Sequence, residues 1–169
     1  MENDALNERR ILKRNLSLAK GEETAVPIEW KYPWDAGAPC PHVLADGHRV
    51  FLAYCYTVSQ IALVEFIRVV NFKFGGPNDE VLHGHPLYGH GLEYYEAHEI
   101  INSKWIIEQE QINAVHSRHD SERWQTLKHF VFTFHDEIFE CIAEAYNVEI
   151  INGSFRDALC EATKWLFDR

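Results

Sequence analysis

This chain is predicted to fold as an α+β domain: an antiparallel sheet of about five strands, a C-terminal amphipathic helix packed on it, and short helices in the 103–126 connection. Three observations carry that reading. Runs rich in β-branched and aromatic residues occupy positions 50–58 and 61–74, the composition that pleated, half-buried surfaces favour. Phe130, Phe132 and Phe134 alternate strictly, a period-two strand signal. Phe155, Ala158, Leu159, Ala162, Trp165 and Leu166 recur at helical spacing, and such an apolar stripe needs a sheet to lie on. Short links between successive strands favour antiparallel pairing.

Taken in order, residues 1–25 differ in composition from the rest. Arg9, Arg10, Lys13, Arg14 and Lys20 are interleaved with Leu6, Ile11, Leu12, Leu16 and Leu18, which reads as an N-terminal tail or short helix outside a single α+β domain of residues 26–169. Residues 27–48 hold four of the six prolines together with Trp30, Tyr32 and Trp34, an extended loop whose aromatics pack onto the domain. Val50, Leu52, Tyr54, Tyr56 and Val58 then alternate with Phe51, Ala53, Cys55 and Thr57, so this strand is apolar on both faces. Val64, Phe66, Val70, Phe72 and Phe74 line one face of the next run, and Ser59-Gln60 between the two reads as a hairpin connection. A glycine-rich loop from Gly75 to Gly91 leads to a third strand over 92–101.

Residues 103–116 turn helical, with Ser103 placed to cap the first turn. A second short turn begins at Asp120, whose side chain can accept from the amides of Glu122 or Arg123. Residues 138–151 fit two patterns. Phe139, Cys141 and Ala143 alternate as a strand, whereas Ile138, Cys141, Ile142 and Ala145 fit a helical stripe; the strand is favoured. The last helix opens on Ser154-x-x-Asp157, an acidic variant of the capping box.

Bulk properties exclude several functions. A length of 169 residues suits one domain, and 46% apolar with 13% aromatic residues is a globular composition. A formal charge of −10 argues against nucleic acid, which requires a basic footprint, and against anionic membranes. No apolar run approaches the roughly 20 residues of a membrane span. Cys40, Cys55, Cys141 and Cys160 form no CxxC pair, and with no secretory leader legible they read as reduced thiols of a cytoplasmic protein. The acidic balance suits a basic protein partner.

Ligand or proton chemistry is concentrated in one stretch. Eight of the ten histidines fall between positions 83 and 135. His83-Gly84-His85 places two imidazoles two residues apart, and with Asp79 upstream they can meet a transition metal. Against this, HExxH is absent, because His98-Glu99-Ile100-Ile101 is followed by Asn102, and the plainer reading is a turn-rich loop bonding its own backbone. His116 and His119 read as helix-terminating residues. His129, Thr133 and His135 share the face opposite the phenylalanine stripe, next to Asp136 and Glu137; either a binding groove or a structural His–carboxylate pair satisfies that pattern. Neither G-x-S-x-G, G-x-G-x-x-G nor a P-loop is present.

Three segments resemble an uncharacterised bacterial single-domain family. They are Pro39-Cys40-Pro41-His42, then Gly76-Pro77-Asn78-Asp79-Glu80 with Gly84-His85-Pro86-Leu87, then the HxxFxFHDxxFEC stretch from His129 to Cys141. The family pattern carries small hydroxyl residues after FHD, where this chain has Glu137-Ile138. The resemblance implies a lineage and brings no activity, cofactor or substrate. It places the candidate binding residues at Asn78, Asp79, Glu80, His83, His85, His129, His135, Asp136 and Glu140. The expected function is that of a small binding or interaction protein, immunity- or inhibitor-like. The alternative is a metal-dependent hydrolase or lyase with His83, His85 and Asp79 as ligands and His135 or Glu140 moving a proton.

Overall fold

A computed structural model describes residues 21–167, together with residues 8, 11 and 12, which are helical and exposed. Of the expected N-terminal tail or helix of residues 1–25, residues 21–25 belong to the fold instead, with Thr24 and Ala25 buried in a strand, and the others, residues 8, 11 and 12 apart, lie outside the described residues. Among the described residues nine strands are formed: β1 (Thr24–Pro27), β2 (His42–Ala45), β3 (Val50–Thr57), β4 (Gln60–Ile67), β5 (Asn71–Gly75), β6 (Ala97–Ile101), β7 (Lys128–Thr133), β8 (Ile138–Ala143) and β9 (Ala145–Asn152). Within residues 21–167 the helices are α1 (Lys104–Asn113), α2 (Ser121–Gln125) and α3 (Phe155–Phe167), with a 3₁₀ turn at Asp79–Gly84. The expected α+β class holds, and its strands form two antiparallel sheets, β1-β6-β7-β8-β5 and β2-β3-β4-β9.

The second sheet exists because two runs that read as single strands each divide. The 61–74 run gives β4 in one sheet and β5 in the other, with Arg68 at φ 55 marking the break. The 138–151 run is strand throughout, as favoured, and likewise supplies β8 to one sheet and β9 to the other. Both breaks occur at one corner. The Glu144 amide donates to the Ile67 carbonyl at 3.0 Å, and Val70 donates to Ile142 at 2.9 Å. An Arg68–Glu144 ion pair of 2.6 Å closes the corner. Strands that switch sheets through a bend make such corners in sandwiches.

Between the sheets lies an aromatic core. Phe66 of β4 meets Phe139 of β8 at 5.1 Å and Phe132 of β7 at 5.9 Å between ring centroids. Trp30 and Trp34, from the proline-rich segment, pack on Phe132 and Phe134, the first edge to face and the second tilted, as expected of that loop's aromatics. Each large buried apolar side chain contributes about 1.5–3 kcal/mol by leaving water.

Each sheet also buries its outer face. On the four-stranded sheet, Ala158, Ala162 and Leu166 of α3 pack on Phe51, Ala53, Ile61 and Leu63, the cover that the helical stripe required. The capping box forms: the Ser154 amide donates to Asp157 Oδ2 at 2.7 Å, and the Asp157 amide donates to Ser154 Oγ at 3.4 Å. On the five-stranded sheet, Leu82, Leu87 and Leu92 of the 78–95 segment pack on Ile100, Val131 and Ile138.

Local departures from expectation have local causes. The third strand begins at Ala97 because Tyr94-Tyr95 forms a turn, with Tyr95 at φ 54. Ser103 does cap α1, accepting from the Ile106 amide at 3.2 Å, and Asp120 caps α2 through the Glu122 amide at 3.0 Å. Helix α1 stops at Asn113, so His116 and His119 sit in the turn beyond it, where His119 Nδ1 lies 3.1 Å from Asn113 Oδ1.

Candidate functional site

The candidate residues gather on the outer face of the five-stranded sheet. Phe130, Phe132, Phe139 and Cys141 face the sandwich core, so alternation turns His129, Val131, Glu140 and Ile142 outward. Across the sheet, His98, Val131, Glu140 and Lys73 fall in one row of partners. His129 lies one step along, diagonal to Glu140.

A buried polar chain runs through this face. Ser103 Oγ lies 2.9 Å from His129 Nδ1, and His129 Nε2 lies 3.0 Å from Glu140 Oε2. Exposures are 5% for Ser103, 2% for His129 and 8% for Glu140. Because a carboxylate can only accept, His129 carries its proton on Nε2, and its Nδ1 accepts from the Ser103 hydroxyl. Burial pushes the His129 pKa down, against the opposing pull of Glu140. Burial acting alone would raise Glu140. The His129 hydrogen bond, the His85 ring and the Lys73 charge outweigh it and hold the carboxyl well below its ordinary range.

The second oxygen of Glu140 faces the surface. Oε1 lies 3.6 Å from Lys73 Nζ and 3.9 Å from His85 Nε2. Lys73 in turn sits 3.8 Å above the Trp105 ring, whose edge meets His129. The Leu87 amide donates to His85 Nδ1 at 3.2 Å, which leaves the His85 proton on the nitrogen turned to Glu140.

Serine, histidine and glutamate in series have the hydrogen-bond order of a hydrolase triad, yet this chain is built as a brace. The Ser103 oxygen is occupied as the α1 cap, and the three groups are buried. Nothing is exposed for a carbonyl substrate to reach.

A second cluster lies at the surface, where the 3₁₀ turn at Asp79–Gly84 meets the turn between β7 and β8. The Asp79 amide donates to the His135 carbonyl at 2.9 Å, and Asp79 Oδ2 accepts from the Tyr95 hydroxyl while lying 3.9 Å from His135 Nε2. Its Oδ1 is buried and finds no donor. His135 Nδ1 is 3.1 Å from Asp136 Oδ1, and that hydrogen bond, reinforced by the Asp79 charge, raises the His135 pKa. Tyr88, Tyr94 and Tyr95 continue from His135 as a row of rings with successive centroids 6.2–6.4 Å apart.

Of the sequence-predicted residues, His85, His129 and Glu140 come together in the buried chain, and Asp79, His135 and Asp136 in the surface cluster. Asn78 precedes the 3₁₀ turn without a side-chain cap bond. Glu80 and His83 are exposed. The proposed metal ligands do not converge: His85 turns to Glu140 and Asp79 to Tyr95 and His135. Among the described residues no three His, Cys, Asp or Glu side chains are grouped to hold a metal ion. His98, of the incomplete HExxH, is buried in β6, where its Nε2 accepts from the Glu93 amide at 3.1 Å.

Trp105, Lys73 and the three tyrosines escaped the sequence reading, which saw Ser103 only as a helix cap. The Tyr94-Tyr95 doublet in a polar loop was the available signal, since tyrosine is enriched where proteins meet partners. A crevice of about 710 Å³ between α1 and α2 is lined by Gln109, Ile112, Arg118, Arg123 and Trp124, and none of the predicted site residues reaches it. No helix among the described residues is long and apolar enough to cross a membrane. No family model, no curated protein and no solved structure matches this chain.

Proposed function

We propose that this chain is a small, non-catalytic binding protein of the immunity or inhibitor kind, and that its partner is a basic protein. The closure of the Ser103–His129–Glu140 chain carries the reading. Both ring nitrogens of His129 are committed inside the fold, so the groups best suited to proton transfer serve the scaffold. What the same face presents to solvent is recognition chemistry: tyrosine rings, His135, and the carboxylates of Glu80 and Asp136, with the Asp79 charge just beneath them. A net charge of −10 adds long-range attraction toward a cationic surface and speeds encounter.

The test is to capture partners from native cells by crosslinking, identify them, and titrate the purified pair. The expected partner carries an excess of lysine and arginine, and its affinity falls steeply between about 50 and 500 mM salt as screening shortens the reach of the charges. An acidic partner, or affinity indifferent to salt, overturns the proposal. Elemental analysis of the purified protein addresses the metal-dependent alternative, which requires a stoichiometric transition metal lost on His85→Ala.

A further inference from the structure

The surface cluster has more specific chemistry than a negative patch. Tyr88, Tyr94 and Tyr95 are 42%, 39% and 39% exposed, yet they are not splayed side chains. Tyr88 and Tyr94 rings meet edge to face at 6.2 Å, Tyr94 and Tyr95 are tilted at 6.3 Å, and Tyr95 leans on His135 at 6.4 Å. The Tyr95 hydroxyl is anchored on Asp79. Aromatic side chains held this way lose little freedom on binding, which is what makes tyrosine an effective contact residue.

Charge surrounds the row on one side. Asp79 accepts from the Tyr95 hydroxyl and lies 3.9 Å from His135 Nε2, Asp136 lies 3.1 Å from His135 Nδ1, and Glu80 follows Asp79, exposed, in the 3₁₀ turn. Carboxylates beside aromatic rings select a cation that can stack and donate at once. Guanidinium does both: it lies flat on an aromatic face and donates two parallel hydrogen bonds to a carboxylate. Ammonium is a compact, strongly hydrated point charge and gains less from the rings.

We propose that the Tyr88–Tyr94–Tyr95–His135 row, with Asp79, Glu80 and Asp136 at its edge, is the docking surface, and that it receives an arginine-bearing segment of the basic partner. This rests on the reading of the chain as a binding protein for a basic protein, and it adds where the partner sits and which side chain is read.

The probes are a labelled arginine–glycine repeat peptide and its lysine–glycine counterpart, followed by fluorescence anisotropy on the full chain. The arginine peptide is expected to bind more tightly. Tyr88→Ala and Tyr94→Ala each weaken it by about three- to tenfold, the scale of one exposed to partly desolvated cation–π contact, and they shrink the arginine-over-lysine preference. Glu80→Gln and Asp136→Asn weaken both peptides. Glu108→Gln and Glu149→Gln, which remove the same charge from α1 and β9, change binding little. Circular dichroism and melting of each variant show whether the fold is intact.

Equal binding of the two peptides, or equal losses from the local and distant charge variants, overturns the docking surface and leaves the basic-partner reading standing. If neither cationic peptide binds and the captured partner is acidic, both fall.

Discussion

Asp79 and His135 are joined twice, once through the backbone, where the Asp79 amide donates to the His135 carbonyl at 2.9 Å, and once through side chains 3.9 Å apart. The clamp holds the start of the 78–95 segment against the turn between β7 and β8. It also sets the charge of the surface cluster, because Asp136 first and Asp79 second raise the His135 pKa. Removing either carboxylate is expected to lower it. In an NMR titration of the His135 ring, Asp136→Asn gives the larger drop and Asp79→Asn the smaller. A His135 midpoint unmoved by either change contradicts the clamp.

Ser103 has two roles, as the cap that accepts from Ile106 and as the donor to His129. Losing a cap costs about 1 kcal/mol, and leaving a buried ring nitrogen without a donor costs about as much again. Ser103→Ala is therefore expected to lose about 2 kcal/mol in urea unfolding. Ser103→Thr, which keeps the hydroxyl, is expected to lose less. Equal losses for the two would assign the effect to packing.

Acid is expected to unfold the protein in two stages of the same sign. The His129 pKa is depressed from 6.5, so below about pH 6.5 the unfolded chain takes up a proton that the folded one refuses, and stability falls. The Glu140 pKa is depressed from 4.5, so its contribution is complete above that value and is lost as pH falls below it towards the lower folded pKa. The raised pKa of His135 works the other way, favouring the folded state below its unfolded value, but its exposure keeps that effect small. Melting temperature should thus fall as pH is lowered from about 7 to 4. His129→Gln should melt lower at neutral pH and show a shallower slope between about pH 6.5 and 5. An unchanged slope would remove His129 as the source.

Gly153 sits at φ 137 between β9 and α3, and a Cβ there would lie 2.6 Å from Asp157 Oδ2. That oxygen accepts from both the amide and the hydroxyl of Ser154. Gly153→Ala forces an unfavourable backbone angle and disturbs the capping box together, at about 1–3 kcal/mol. The measurement is chemical denaturation beside Ser154→Ala, which removes the cap alone and is expected to cost about 1 kcal/mol.

What could be read from the sequence was whatever has a local cause. Ser103, Asp120 and the Ser154–Asp157 pair cap their helices as expected because a cap depends on residues two or three apart. The Phe130, Phe132 and Phe134 alternation is a strand because period two has no other cheap solution. The division into two sheets was hidden, since the runs through Arg68 and Glu144 stay apolar and extended on both sides of the bend, and a positive φ at an arginine leaves no compositional mark. In the site, the two histidine- and carboxylate-bearing segments marked out His85, His129 and Glu140, which gather in the buried chain, and Asp79 and His135, which meet at the surface. Ser103, Trp105 and Lys73 reach the same place from other strands and helices, and only the pairing of β5, β8, β7 and β6 brings them there.

The corner at Arg68 and Glu144 has a consequence for how the molecule comes apart. β4 with β5, and β9 with β8, form one long two-stranded ribbon that begins in one sheet and ends in the other. Neither sheet is a contiguous stretch of chain, so no single cut leaves one complete sheet on each side of it. The two layers should open to solvent exchange together, as a single cooperative unit, and the protein should behave as one piece under force, protease or heat.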